Sequence, residues 1–87
     1  MNVAVEVSMY PLHDEFLPPI DAFLAELNRH DGVEVTTNRM STQLFGDYDQ
    51  VMELVKTATR QAHEQFGKAV FVYKVIPGAS RTINGYE

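Results

Sequence analysis

The stretch "RMSTQLFGDYDQVM", residues 39–52, decides the fold of this chain. Polar and apolar residues alternate from Ser41 to Phe45, which is the two-residue period of a β-strand. Asp47 then suits the N-cap of a helix, and Gln50 three residues later makes a pair resembling a capping box. The stretch therefore predicts a strand over residues 41–46 that runs directly into a helix.

Three elements are predicted before this stretch. Apolar residues at every second position from Val3 to Met9 indicate a half-buried strand that Pro11 ends. Pro18 and Pro19 suit the first turn of a helix, because the N–H that proline lacks has no partner there. The apolar stripe of that helix consists of Ile20, Phe23, Leu24 and Leu27. Asp31-Gly32 is expected to stop the helix, and residues 33–36 alternate as a second strand.

Two elements are predicted after it. The helix that Asp47 begins has an apolar face made of Val51, Leu54, Val55, Ala58, Ala62 and Phe66. Gly67 is expected to end it in the left-handed αL conformation. Residues 69–76, rich in Val, Phe and Tyr, predict a fourth strand that Pro77-Gly78 ends. Residues 79–87 are predicted to be a polar tail that is either flexible or paired at a sheet edge.

The order strand-helix-strand-strand-helix-strand predicts an α+β, ferredoxin-like βαββαβ sandwich. Its four strands form one antiparallel sheet, and the handedness of the crossovers places both helices on the same face. Eighty-seven residues suffice for a single modest core, so residues 1–87 are expected to form one domain.

The sheet face opposite the helices, called the open face below, is expected to carry Glu6, Ser8 and Tyr10 if the valines of the first strand point at the helices. On the fourth strand we expect Val70 and Val72 on the helix side. Three aromatic residues then belong to the open face: Phe45, Phe71 and Tyr73. So much exposed aromatic surface indicates a partner, and a homodimer or homotetramer formed through sheet faces or edges is predicted.

Composition excludes several classes of function. The net charge is −5 and the seven basic residues are scattered, which argues against nucleic-acid binding. No apolar run approaches the roughly 20 residues that span a bilayer. The chain has no cysteine, so it has no disulfide and no thiolate ligand or nucleophile. A cytoplasmic protein that contacts no membrane is expected.

Two strand motifs resemble a known family. Residues 6–12, Glu-Val-Ser-Met-Tyr-Pro-Leu, and residues 40–47, Met-Ser-Thr-Gln-Leu-Phe-Gly-Asp, are similar in order and spacing to motifs of the YkoF-like group of small thiamine-binding proteins. The similarity covers roughly residues 3–76. This resemblance implies the same ferredoxin-like fold, assembly through sheets, and binding of thiamine or its hydroxymethylpyrimidine half for carriage, salvage or sensing, without turnover and without a cofactor.

A site for such a ligand needs polar groups for the aminopyrimidine edge and an apolar or aromatic surface for stacking. The candidate ligand-binding residues are Glu6, Ser8, Ser41, Thr42, Gln43, Phe45, Asp47 and Tyr48. Because Thr42 and Gln43 face opposite sides of their strand, only one of them can line a given pocket, and Thr42 is favoured. For Asp47 helix capping is the simpler role, and ligand contact would be additional.

Two other functions stay open at this point. The chain would also suit a ferredoxin-like regulatory or oligomerisation domain that binds another metabolite. A small cofactor-free enzyme of the dimeric α+β barrel type is the weaker alternative, because no histidine is placed to activate a serine. The adjacent residues His13-Asp14-Glu15 are metal-ligand types, but neighbours on a loop rarely converge on one ion.

Overall fold

The structure is a computed structural model and describes residues 1–79, so the predicted tail lies outside the described residues except for Ala79. Its elements are β1 (Asn2–Pro11), α1 (Leu17–Asn28), β2 (Val33–Thr37), β3 (Thr42–Asp47), α2 (Tyr48–Phe66) and β4 (Ala69–Pro77). This βαββαβ order with one antiparallel sheet confirms the predicted ferredoxin-like α+β fold.

The four strands differ in length, and this creates a notch at one end of the sheet. Their order is β2-β3-β1-β4, and β1 pairs with β4 from Val3 to Pro11. The pairing of β1 with β3 stops earlier, at Val7 opposite Thr42. Within residues 1–79, the β3-side edge of β1 therefore has no strand neighbour from Ser8 to Tyr10. The long β1–β4 pair extends beyond the short β2–β3 hairpin.

The core lies between the sheet and the two helices, as the alternation in β1 predicts. Val3, Val5 and Val7 are buried, and Leu44 of β3 packs beside them. Helix α1 contributes Phe23 and Leu27. Helix α2 contributes four buried residues, Val51, Leu54, Ala58 and Ala62. Each helix thus buries the stripe that its sequence period predicts.

The predicted orientation of β4 is wrong. Val70 and Val72 are 48% and 46% exposed on the open face, whereas Phe71 and Tyr73 pack against the core. The register explains this, since Tyr73 stands opposite the buried Val7. The Phe71 ring lies 5.1 Å from that of Phe23 between centroids.

The start of α2 agrees with its predicted cap in part. Asp47 is the N-cap, and its Oδ2 accepts a hydrogen bond from the Gln50 backbone N–H at 3.2 Å. The side chain of Gln50, however, lies against Gly32, where an added Cβ would overlap its Oε1. The cap is therefore confirmed, while the side chain that would complete a capping box packs against the loop before β2.

The ends of both helices differ from expectation. Helix α1 ends at Asn28 with Arg29 as its C-cap, before the predicted stop at Asp31-Gly32. Gly67 does end α2 with a positive φ of 87°, but its ψ of −142° lies outside the αL region. Its N–H still donates to the carbonyl of His63 at 2.8 Å, so the last turn remains helical in its hydrogen bonding.

Candidate functional site

A cleft of about 270 Å³ occupies the notch at the end of the sheet. One wall is the C-terminal part of β1, from Val7 to Tyr10, and another is the turn between β2 and β3. Helix α1 closes the third side with the apolar side chains of Ile20, Phe23 and Leu24. The cleft thus exists because β1 continues past the hairpin and α1 covers the overhang.

The cleft carries uncharged hydrogen-bonding groups above an apolar floor. Thr42 is only 4% exposed, and its Oγ1 lies 3.1 Å from the Oγ1 of Thr37. One of these hydroxyls donates to the other, which leaves the second proton available to a bound molecule. Ser8, Tyr10 and Ser41 also border the cleft, although Ser8 stands opposite Val72 and Tyr10 opposite Val70, so the side chains of both belong to the open face.

The turn that borders the cleft is fixed by its own side chain. Asn38 Oδ1 accepts hydrogen bonds from the backbone N–H groups of Met40 at 2.8 Å and Ser41 at 2.9 Å. The Asn38 N–H donates in turn to the Ser41 carbonyl at 3.0 Å. This asparagine-stabilised turn holds Arg39 at the mouth of the cleft.

The eight candidate residues divide into three groups. Those at the cleft are Ser8, Ser41 and Thr42. Those on the open face are Glu6, Gln43 and Phe45. Glu6 pairs with Gln43 and Ala4 pairs with Phe45 across β1 and β3, and these pairs alternate with the pairs that face the helices. The structure therefore brings three of the eight together, and contact of any of them with a ligand stays a prediction.

The remaining two, Asp47 and Tyr48, lie at the opposite end of β3. Asp47 comes five positions after Thr42, a distance of about 17 Å at roughly 3.4 Å per residue. Asp47 caps α2, and the Tyr48 N–H donates to the Met1 carbonyl at 2.9 Å. Both residues have structural roles there, and neither can share a small ligand with the cleft.

The open face meets the cleft at Ser41. Its Oγ donates to Glu6 Oε2 at 3.0 Å, and Glu6 Oε1 lies 3.8 Å from Lys74 Nζ. Around this polar centre the open face exposes apolar side chains on β1 and β4: Tyr10, Val70, Val72 and Ile76. Phe45 is half-buried on the same face.

Several cleft residues were not predicted from the sequence. Thr37 comes from the end of β2, Asn38 and Arg39 come from the turn that follows, and Phe23 comes from α1. The sequence predicts a turn near Asn38-Arg39-Met40, but not that this turn borders a cleft. The contribution of α1 has no local signal, because it depends on how the helix crosses the sheet.

A second cleft of about 390 Å³ lies at the other end, between the start of β2 and α2. Its lining is acidic, with Asp31, Asp49 and Glu53, and it also includes His30. The His30 Nε2 lies 3.3 Å from Glu26 Oε2. Within the described part of the chain, no three His, Cys, Asp or Glu side chains come close enough to hold a metal ion.

Tyr73 has a raised pKa, and its side chain lies on the helix side of the sheet. Burial raises the pKa of its hydroxyl, and a hydrogen bond with Thr59 Oγ1 at 3.1 Å offsets part of that rise. The Thr59 hydroxyl also bonds the Val55 carbonyl. Tyr73 is absent from the lining of both clefts, so this network belongs to the packing of β4 on α2.

Solved structures share this fold closely. A Streptococcus pneumoniae protein superposes with a TM-score of 0.85 at 22% identity, covering 97% of this chain and 94% of its own. A hypothetical protein from Methanocaldococcus jannaschii gives 0.78 at 25% identity, with 95% and 89% covered. A candidate thiamine biosynthesis or salvage protein from Thermotoga maritima gives 0.78 at 16% identity, with 98% and 88% covered.

Comparison with curated protein sequences gave no match. Across residues 1–79, no helix is long and apolar enough to cross a membrane. The sequence profile described as thiamine-binding protein matches residues 5–81, which is nearly the whole chain and includes both strand motifs. The chain belongs to the thiamine-binding protein family.

Proposed function

We propose that the chain binds thiamine or its hydroxymethylpyrimidine half in the notch cleft, without turnover, for carriage, salvage or sensing. The observation that carries this proposal is the combination of a free strand edge, the buried hydroxyl of Thr42 and an apolar floor in one small cleft. Membership of the thiamine-binding family supports a small-molecule ligand of this kind.

The chemistry of an aminopyrimidine suits the wall formed by β1. Its ring nitrogens accept hydrogen bonds and its exocyclic amine donates them along one edge. An unpaired strand edge offers alternating N–H and C=O groups at a matching spacing, as in β-strand addition. Ser8 and Tyr10 lie on this edge, and the free hydroxyl proton of the Thr37–Thr42 pair is available to a ring nitrogen.

The size of the cleft favours a single heterocycle. Sites for drug-sized ligands enclose about 300–1,000 Å³, and this cleft of about 270 Å³ falls just below that range. Phe23 on the floor offers a bound ring an aromatic surface from the helix side. A larger ligand would extend through the mouth past the hairpin turn.

The side chains of the cleft favour binding over catalysis. General acid-base chemistry needs a titratable group near the reacting atoms, most often histidine or a carboxylate. Among residues 1–79, the side chains that line the cleft include neither. This supports a binding role. A cofactor-free enzyme would need a general base from outside the cleft.

Calorimetric titration with thiamine and hydroxymethylpyrimidine tests the proposal. At a ligand concentration about 100 times its dissociation constant, the free energy of unfolding should rise by about 2.7 kcal/mol. Thr42→Val should weaken binding about tenfold, since it removes a buried hydroxyl without changing shape. The matched control Thr57→Val alters the acidic cleft instead and should bind as the original chain does.

Binding that Thr57→Val weakens and Thr42→Val leaves unchanged would move the site to the acidic cleft. No response to either compound would remove the proposal and favour a regulatory domain with a different metabolite.

We also propose that a second copy of the chain covers the open face. Tyr10, Val70, Val72 and Ile76 are 45–56% exposed there, in a band along two neighbouring strands. Apolar side chains exposed in this way on two neighbouring strands, on either side of the Glu6–Lys74 pair, usually mark an interaction surface. Sedimentation should detect a dimer or tetramer that Val72→Glu dissociates, while Leu17→Glu, on the exposed side of α1, should not. A monomer in the original chain would refute this assembly.

A further inference from the structure

The cleft has a positive charge at its mouth. Thirteen residues line it, and none of them is Asp or Glu. Arg39 is the one Lys or Arg in that set. This stands out in a chain whose net charge is −5.

The position of Arg39 is defined by the turn that carries it. Three hydrogen bonds of 2.8–3.0 Å between Asn38, Met40 and Ser41 close that turn around it. Within residues 1–79, Arg39 itself makes no salt bridge. The carboxylate nearest in the bonding network, Glu6, is held on the open face by Ser41 and lies 3.8 Å from Lys74 Nζ. Among residues 1–79 the guanidinium therefore has no carboxylate partner, which leaves it for a ligand.

Building on the proposed function, we propose that the preferred ligand is the phosphate monoester of the pyrimidine alcohol or of thiamine, with Arg39 binding the phosphate at the mouth of the cleft. The ring lies against β1 and the phosphate extends past the hairpin turn. A guanidinium fork matches a phosphate in charge and geometry, and it binds through paired charge-assisted hydrogen bonds.

The distribution of charge between the two clefts agrees with this choice. The unmodified thiazolium of thiamine is a cation, which an arginine at the mouth repels. The acidic residues that would attract a cation, Asp31, Asp49 and Glu53, line the cleft at the opposite end of the sheet. The notch cleft is thus electrostatically suited to a ligand with an anionic substituent, whose charge in thiamine monophosphate also offsets that of the thiazolium.

The test compares four compounds by calorimetry: hydroxymethylpyrimidine, its monophosphate, thiamine and thiamine monophosphate. In the original chain each phosphate ester should bind about tenfold more tightly than its alcohol, as expected for hydrogen bonds to a charged group. The preference should fall as salt rises, because the arginine is exposed. Inorganic phosphate alone should bind far more weakly than either ester, because it makes no contact with the ring wall.

Variants identify the residue responsible. Arg39→Gln should bring the affinities of ester and alcohol to within about twofold of each other, and Arg39→Lys should keep part of the preference as a point charge. Arg60→Gln is the matched control, because it removes the same charge from the exposed side of α2. It should keep the full preference.

Equal affinity for ester and alcohol in the original chain would overturn this inference and leave the proposed function standing. So would an ester preference that Arg39→Gln and Arg60→Gln reduce alike. Failure of all four compounds to bind would remove both the inference and the proposed function.

Discussion

Replacing Asp47 with alanine separates its two predicted roles, helix capping and ligand contact. The carboxylate accepts one hydrogen bond, from the Gln50 N–H at 3.2 Å, and it stands at the positive end of a helix of 19 residues. It also lies about 17 Å along β3 from the cleft residue Thr42, at roughly 3.4 Å per residue. Loss of the side chain should therefore lower stability and leave ligand affinity unchanged.

The expected cost follows from the exposure of the cap. Removal of an N-cap oxygen costs about 0.5–2 kcal/mol, typically about 1. Val51 in the first turn is fully buried and still packs on the sheet, so the helix should fray only at its first residues. Asp47→Asn keeps the hydrogen-bond acceptor and loses only the charge at the helix dipole, for which about 0.3–1 kcal/mol is expected.

Urea denaturation of the three proteins measures these differences, and calorimetry under the same conditions measures ligand affinity. The order of stability should be Asp, then Asn, then Ala, with the m-value unchanged. If Asp47→Ala weakened binding tenfold or left stability unaltered, the assignment of this residue to a cap alone would be wrong.

Three further predictions concern the core, the shifted tyrosine and a glycine. Leu27→Ala should lower the free energy of unfolding by about 2–5 kcal/mol in urea denaturation, because Leu27 is fully buried, whereas Leu17→Ala at an exposed position should change it by less than about 0.5 kcal/mol. Burial raises the pKa of Tyr73 in the folded chain. The stability that this neutral side chain contributes is therefore complete below the unfolded pKa of about 10 and is lost as pH rises through the folded pKa. Tyr73→Phe should flatten the fall in stability measured between about pH 9 and 11. Gly67→Ala should lower the free energy of unfolding by about 1–3 kcal/mol in thermal denaturation, because a φ of 87° strains any residue with a side chain, although His13 leaves space for a Cβ. In Gly32→Ala only the flexible end of Gln50 must move, so an equal loss of stability there would contradict this explanation.

The element order and the core could be predicted because each element has a strong local pattern. The valines of β1 and the stripe of α2 have the periods of their elements, and the structure buries both. In β4 both faces carry apolar residues, and Lys74, the one charged residue of the strand, shares its face with Val70 and Val72. The parity of Lys74 was therefore the local signal for the open face, and the register of Tyr73 opposite Val7 agrees with it.

The site was predictable only where it coincides with a strand motif. Ser8, Ser41 and Thr42 belong to the two motifs and lie at the cleft. Asp47 directly follows Gly46 of the second motif, yet it lies about 17 Å along β3 from Thr42, because a strand that runs directly into a helix carries its two ends far apart. Arg39 received no role, since a single arginine in a turn has meaning only once the cleft beside it is known.

The position of the cleft follows from the different environments along β1. From Val3 to Val7 this strand is paired on both sides, so its backbone groups are used within the sheet and its side chains fill the core. From Ser8 to Tyr10 it is paired with β4 alone among the described residues, and its other edge faces the cleft. A central strand can offer backbone groups to a ligand only where its neighbour ends. That point is set by the tight turn at Asn38, which stops the β2–β3 hairpin short of the β1–β4 pair and holds Arg39 beside the free edge.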